Sequence, residues 1–194
     1  MEIDWTNELA EQLDWHWREH LRPRLDGMTD DEYLWEPVRG WSLRPRGEAR
    51  TPMAAGRGDV VADFEVPEPS PAPFTTIAWR MAHLSVGVLG MRAASHFGGP
   101  QIAYDTVDWS LTADDGLALL DHTYRSWIEG VRALGDAGLA RPCGPAEGPF
   151  ADYPLAGLVL HINREVIHHG AELALLRDLY GARDRFVARG AVAS

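Results

Sequence analysis

Apolar residues recur at every fourth position from Trp5 through Leu9, Leu13 and Trp17 to Leu21, a spacing that gathers them on one helical face. Asp4 stands at the N-cap and Gly27 just past the last turn, so the pattern predicts a helix over 4–26. Thr29-Asp30-Asp31-Glu32 is a capping box for a short helix carrying Tyr33, Leu34 and Trp35, which Pro37 stops. A second long helix is expected over 75–96, with Ile77, Met81, Leu84, Val88 and Met91 on its apolar face and Phe97-Gly98-Gly99-Pro100 closing it. Thr112 and Asp115 form another capping box, opening a third helix to about residue 134 along Leu117, Leu120, Tyr124, Trp127, Ile128 and Val131. Pro154 suits a first helical turn, Gly181 suits the residue after a last one, and Leu155, Val159, Ile162, Val166, Leu173 and Leu176 mark a fourth helix between them.

The connections are unequal. Residues 37–73 contain seven prolines and no sustained period of either kind, and read as an excursion that packs Trp41 and Phe64 against the body. Tyr104 and Trp109 lie in a shorter connection, and 182–194 reads as a flexible tail. The fold class is all-α: one domain over 1–181, a bundle whose interior several helices share.

Composition narrows the function. The formal charge of −11 supplies no cationic surface for nucleic acid. No lysine occurs, which removes Schiff-base chemistry and the phosphate-loop lysine. Cys143 has no partner for a disulfide, and no segment has a signal-peptide core or the length to span a bilayer. The expected setting is the cytoplasm. The expected partners are a small-molecule substrate and a second copy in a homodimer, with neither nucleic acid nor membrane.

The fourth helix carries the chemistry. Its segment His161 to Glu172 reads HINREVIHHGAE, and four residues advance a helix by about 40° beyond one full turn. His161, Glu165 and His169 therefore form a stripe, with Glu172 close to it. Glu165 and His169 can meet one ion as paired ligands, and His83, in the apolar company of Met81, Ala82 and Leu84, is the best third donor. A His2Glu set suits catalytic zinc, with nickel or iron compatible. His168 competes with His169 for register, and hydrogen-bonded histidines without metal are the alternative. His16 and His20 are expected to line or coat the first helix rather than ligate. Arg80, Arg92, Arg164 and Arg177 are candidates for a carboxylate or thiol-cofactor anion, or for pairing with the many acids.

Three segments carry a resemblance: the Trp/His-rich first helix ending in LRPRLDGMTDDEYLWEP, then TIAWRMAHLSVGVLGMRAASHFG, then HINREVIHHGAELALLRDLYG. Together they resemble the DinB-like superfamily, which includes YfiT-type hydrolases, bacillithiol transferases and mycothiol-dependent maleylpyruvate isomerases. The resemblance implies an up-down-down-up four-helix bundle and a divalent metal, with zinc preferred and nickel, manganese or iron possible. It places the ligands on His83, Glu165 and His169. Glu165 departs from the three-histidine pattern of many members and is similar to the mycothiol-dependent isomerases. A low-molecular-weight thiol such as mycothiol is implied as a co-substrate in transfer or isomerisation, with metal-assisted hydrolysis or a non-catalytic, stress-associated bundle as the other readings. Glu172 is the candidate catalytic group.

Overall fold

The caps read from the sequence start the helices in the computed structural model, which describes residues 2–185. Asp4 accepts from the Asn7 N–H at 3.0 Å and opens helix α1, which runs through Trp5–His16, a π-helical stretch Trp17–Leu21 and a last turn Arg22–Arg24. Gly27 then takes φ +69°, a conformation that costs a residue without Cβ little. Thr29 accepts from Glu32 and opens the short α2, Asp30–Tyr33. Thr76, one residue later than expected, caps α3, which comprises Ile77–Ala82, a π-helical stretch His83–Gly90 and Met91–Phe97. Thr112 caps α4, Ala113–Arg132, and the short α5, Gly135–Ala140, follows.

Helix α6 spans Leu155–Gly181. Two details differ from the sequence reading. Pro154 is the N-cap itself and offers no side-chain cap; instead the Leu155 N–H donates to the Arg141 carbonyl at 2.8 Å. Gly181 is the last helical residue rather than the residue beyond it, and Ala182 ends the helix. The expected tail falls mostly on residues 186–194, which lie outside the described residues.

Helix α1 packs against α4 and α6, and α3 packs against the same two helices, so the apolar stripes converge on one core. Leu13, Leu25, Leu84, Leu89, Leu120, Trp127, Leu155 and Leu173 are fully enclosed there. Polar ties fix the register: Asn163 donates to the Leu9 carbonyl at 2.8 Å, and Tyr124 donates to Asp14 at 2.5 Å. Asp14 also holds Arg18 and Arg132. No helix among the described residues is long and apolar enough to cross a membrane.

The proline-rich excursion is ordered onto this body. Strands β1, Leu43–Pro45, and β2, Val60–Ala62, form an antiparallel pair. Trp41 pairs with the chain at Thr75, its N–H donating to the Phe74 carbonyl at 2.8 Å. Asp63 has no exposure, and its carboxylate accepts from Arg44 Nε at 2.7 Å, the Arg50 N–H at 2.8 Å and the Ser42 N–H at 3.1 Å. Its own carbonyl accepts from Trp79 Nε1 at 2.7 Å, which ties the excursion to α3.

Removing one member of a buried, hydrogen-bonded ion pair leaves an uncompensated charge, at a cost of about 3–5 kcal/mol. Asp63→Ala should lower stability by that amount in chemical denaturation. It should also speed tryptic cleavage of the excursion at Arg46 and Arg50, relative to the wild type. Unchanged stability and protection would show that the segment is held by something other than this carboxylate.

Candidate functional site

Helix α3 offers His83 at the first residue of its π-helical stretch, where backbone bonds run i→i+5, as from the Met91 N–H to the Val86 carbonyl. Such stretches are frequent at functional sites because they re-aim side chains relative to the flanking turns. Helix α6 faces it with Glu165 and His169, one turn apart. Between them lies a cavity of about 670 Å³ lined by His83, Glu165 and His169 together. The excursion roofs it with Trp41, Phe64 and Pro73, and Tyr104 reaches in from the connection before α4.

The two imidazoles meet edge to face with centroids 4.9 Å apart. Trp79 stacks on His83 at 5.5 Å, fixing the ring plane. On the far side, His83 Nδ1 lies 2.8 Å from the Tyr104 hydroxyl. This approach needs a glycine: a Cβ at position 87 would stand 2.3 Å from the Tyr104 oxygen and 3.2 Å from His83 Nδ1. Burial holds the Tyr104 phenol well above its ordinary range, so the hydroxyl keeps its proton.

His169 is anchored in a similar way. Its Nδ1 lies 2.6 Å from Glu172 Oε2, and a carboxylate can only accept, so Nδ1 carries the proton. Its Nε2 lies 3.5 Å from Glu165 Oε2, beyond a good hydrogen bond, and in the neutral ring carries the lone pair. Arg80 Nη1 comes within 3.2 Å of the same Nδ1, but a protonated nitrogen has no lone pair to accept from it; its charge partner is Glu172, 3.1 Å from Nε. Burial, with the neighbouring His169 and Arg80, pushes the His83 pKa down to about 4. Its ring is therefore neutral at physiological pH and keeps a lone pair for an electrophile.

The remaining candidates are elsewhere. Glu172 is not among the cavity-lining residues; it sits behind His169. His168 is exposed, with Nε2 3.5 Å from Glu172 Oε1. His168, His169 and Glu172 nevertheless offer ligand atoms within 4.8 Å of one another, a group able to hold a divalent metal. His16 stacks on His20 at 5.9 Å, away from the cavity. His122 lines a separate cavity of about 450 Å³, bounded by α3, α4 and the connection between them. His96 pairs with Glu147 at 3.0 Å, and Arg177 forks onto Glu32 at 2.6 and 3.1 Å. Cys143 is buried, and burial raises its thiol pKa, the opposite of a nucleophile's environment.

Tyr104 and Gly87 were not legible as site residues. A glycine inside a helix costs about 1 kcal/mol relative to alanine, so one at mid-helix beside His83 was the available signal.

The model of the DinB superfamily matches residues 12–173, from within α1 through most of α6. The chain belongs to the DinB superfamily. Comparison with curated proteins and with solved structures gave no match. Membership accounts for the helical body and its long connections, while the cavity chemistry has to be read from this DinB-superfamily chain's own residues.

The buried His83 ring predicts a pH effect. Its folded pKa, about 4, lies below the ordinary 6.5, so between those values the unfolded chain binds a proton that the folded chain refuses. In chelator, stability should fall as the pH drops from about 6.5 towards 4, and His83→Gln should show a shallower fall. Urea midpoints at intervals across that window provide the measurement. Identical slopes for wild type and variant would contradict the assignment.

Proposed function

We propose that this DinB-superfamily chain holds one divalent metal in its interior cavity and is a metal-dependent enzyme acting on a small molecule there. The observation that carries the reading is that His83, Glu165 and His169 line one cavity. His169 Nδ1 is committed to Glu172, and with the His83 proton on Nδ1, facing Tyr104, both Nε2 atoms are left for an ion beside the Glu165 carboxylate. The ligand set is then His83, Glu165 and His169, of the His2Glu type that catalytic zinc sites use. Zinc is the preferred ion, with nickel, manganese and iron compatible with the same donors. When bound, the ion supplies Lewis acidity, lowering the pKa of water or of a low-molecular-weight thiol such as mycothiol.

The chain's own residues do the rest. Tyr104 can accept from His83 Nδ1–H when an ion takes Nε2. Glu172 fixes the tautomer of His169, and Arg80 holds Glu172 in place. This makes Glu172 a positioning residue rather than a group that meets substrate. Trp41, Phe64 and Trp79 wall the cavity and thin the water around the donors, which strengthens every electrostatic interaction inside. Hydrolysis and thiol-dependent transfer or isomerisation both fit this arrangement, in a bundle of up-down-down-up order. The second reading is a non-catalytic metal site at the surface, favoured by the close grouping of His168, His169 and Glu172.

Metal content separates the two. In protein purified without an affinity tag, His83→Ala, Glu165→Ala and His169→Ala should each fall well below one equivalent of metal by elemental analysis. His168→Ala should stay near wild type. Chelator should lower the wild-type melting temperature and leave those three variants nearly unchanged, because an ion bound only by the folded state stabilises it by mass action. Metal kept by Glu165→Ala but lost by His168→Ala would move the site to the surface group. No metal in the wild type, and none taken up on reconstitution, would remove it.

A further inference from the structure

A second cavity, of about 620 Å³, adjoins the first, and Arg92 and His161 line both. Its character is different. Cys143, Phe150, Tyr153, Gly157 and Leu158 make it mainly apolar, and Phe150 and Tyr153 are each 60% exposed, large rings left on the surface by the folded chain. An apolar group seated there would take that ring surface out of water.

The junction carries a guanidinium with an unused donor. Arg92 Nε is enclosed and has no hydrogen-bond partner. Glu147, which also lines the second cavity, forms only a long ion pair with it at 3.7 Å and is engaged by His96 Nε2 at 3.0 Å. Nη1 of Arg92 donates to the Gly87 carbonyl. Thr75 Oγ1, on the first cavity's wall, is likewise enclosed without a partner. Glu65 and Glu68 also line the first cavity, but they come from the roofing segment, with Glu68 exposed at its edge rather than on the α3 wall. A guanidinium with its Nε donor unused at the border of an apolar chamber is suited to one planar anion with a hydrocarbon body.

We propose that the substrate is a small apolar monocarboxylic acid. Its carboxylate pairs with Arg92, its hydrocarbon body occupies the second chamber, and the functional group beside the carboxylate faces His83, Glu165 and His169. The inference rests on the metal reading for the reaction but not for recognition, which Arg92 and the chamber provide without an ion. Arg92 is thus the specificity-determining residue for charge. Gly157 keeps the chamber open: a Cβ there meets nothing within 4 Å, so a larger side chain enters free space rather than displacing the helix.

The test uses phenylpropionate, phenylpropionamide and propionate in calorimetric titrations of the full chain, both chelator-treated and zinc-loaded. Phenylpropionate should bind about tenfold more tightly than the amide, the scale of one charge-assisted pair, and about tenfold more tightly than propionate. Arg92→Gln should erase the preference for the carboxylate over the amide. Gly157→Leu should erase the preference for the phenyl group and leave metal content unchanged, which covers the case in which Arg92→Gln fails to fold. Equal binding of acid and amide, no binding of phenylpropionate in either form, or a phenyl preference that survives Gly157→Leu would overturn the inference. Selectivity by chelator-treated protein that takes up no metal would sink the metal reading alone. Metal uptake without selectivity would sink this inference alone.

Discussion

A carboxylate with no contact with water, that of Asp63, holds the functional half of this molecule together. Taking a charge out of water costs several kcal/mol, and the cost is offset only where charged and backbone donors surround it. Asp63 has three such donors, and its own carbonyl receives the Trp79 indole from α3. Arg44 extends the network to Glu36 at 3.0 Å, and Arg50 pairs with the same acid. A proline-rich segment that forms only three residues of ladder on each strand is thereby fixed over the bundle. The cavity has a roof because this network closes.

Under that roof, the ring geometry is set by neighbours at Nδ1. Tyr104, on the cavity wall, meets His83, and Glu172, behind the wall, meets His169. The grips differ in kind. Glu172 fixes one tautomer outright because a carboxylate cannot donate, and Arg80 neutralises it. Tyr104 can give or take a proton in its bond, and it reaches His83 only because position 87 has no side chain. The same wall places Arg92 at the border with the apolar chamber, so α3 bears on both the donor set and the recognition of charge.

Much of this was visible in the chain. Caps at Asp4, Thr29 and Thr112 were legible because a side-chain oxygen before a periodic run has one local use, to accept from the first turn. The four-residue spacing of Glu165 and His169 was legible for the same local reason. What escaped depends on contacts distant in sequence. The π-helical stretches break the 100° step on which periodic reading relies, and strands of three residues are too short to show alternation. Tyr104 looked like a loop aromatic, and Arg92 could not be told from the arginines that merely pair with acids. Glu172 lay near the right stripe, but only packing reveals that it stands behind His169 rather than beside the cavity.

The central claim is the position of the ion, and an anomalous-difference map from a zinc-loaded crystal tests it most directly. The account predicts one strong peak inside the cavity, about 2.0–2.2 Å from His83 Nε2, His169 Nε2 and a Glu165 carboxylate oxygen. A peak bonded to His168 and Glu172 at the surface, with His83 unligated, would contradict it.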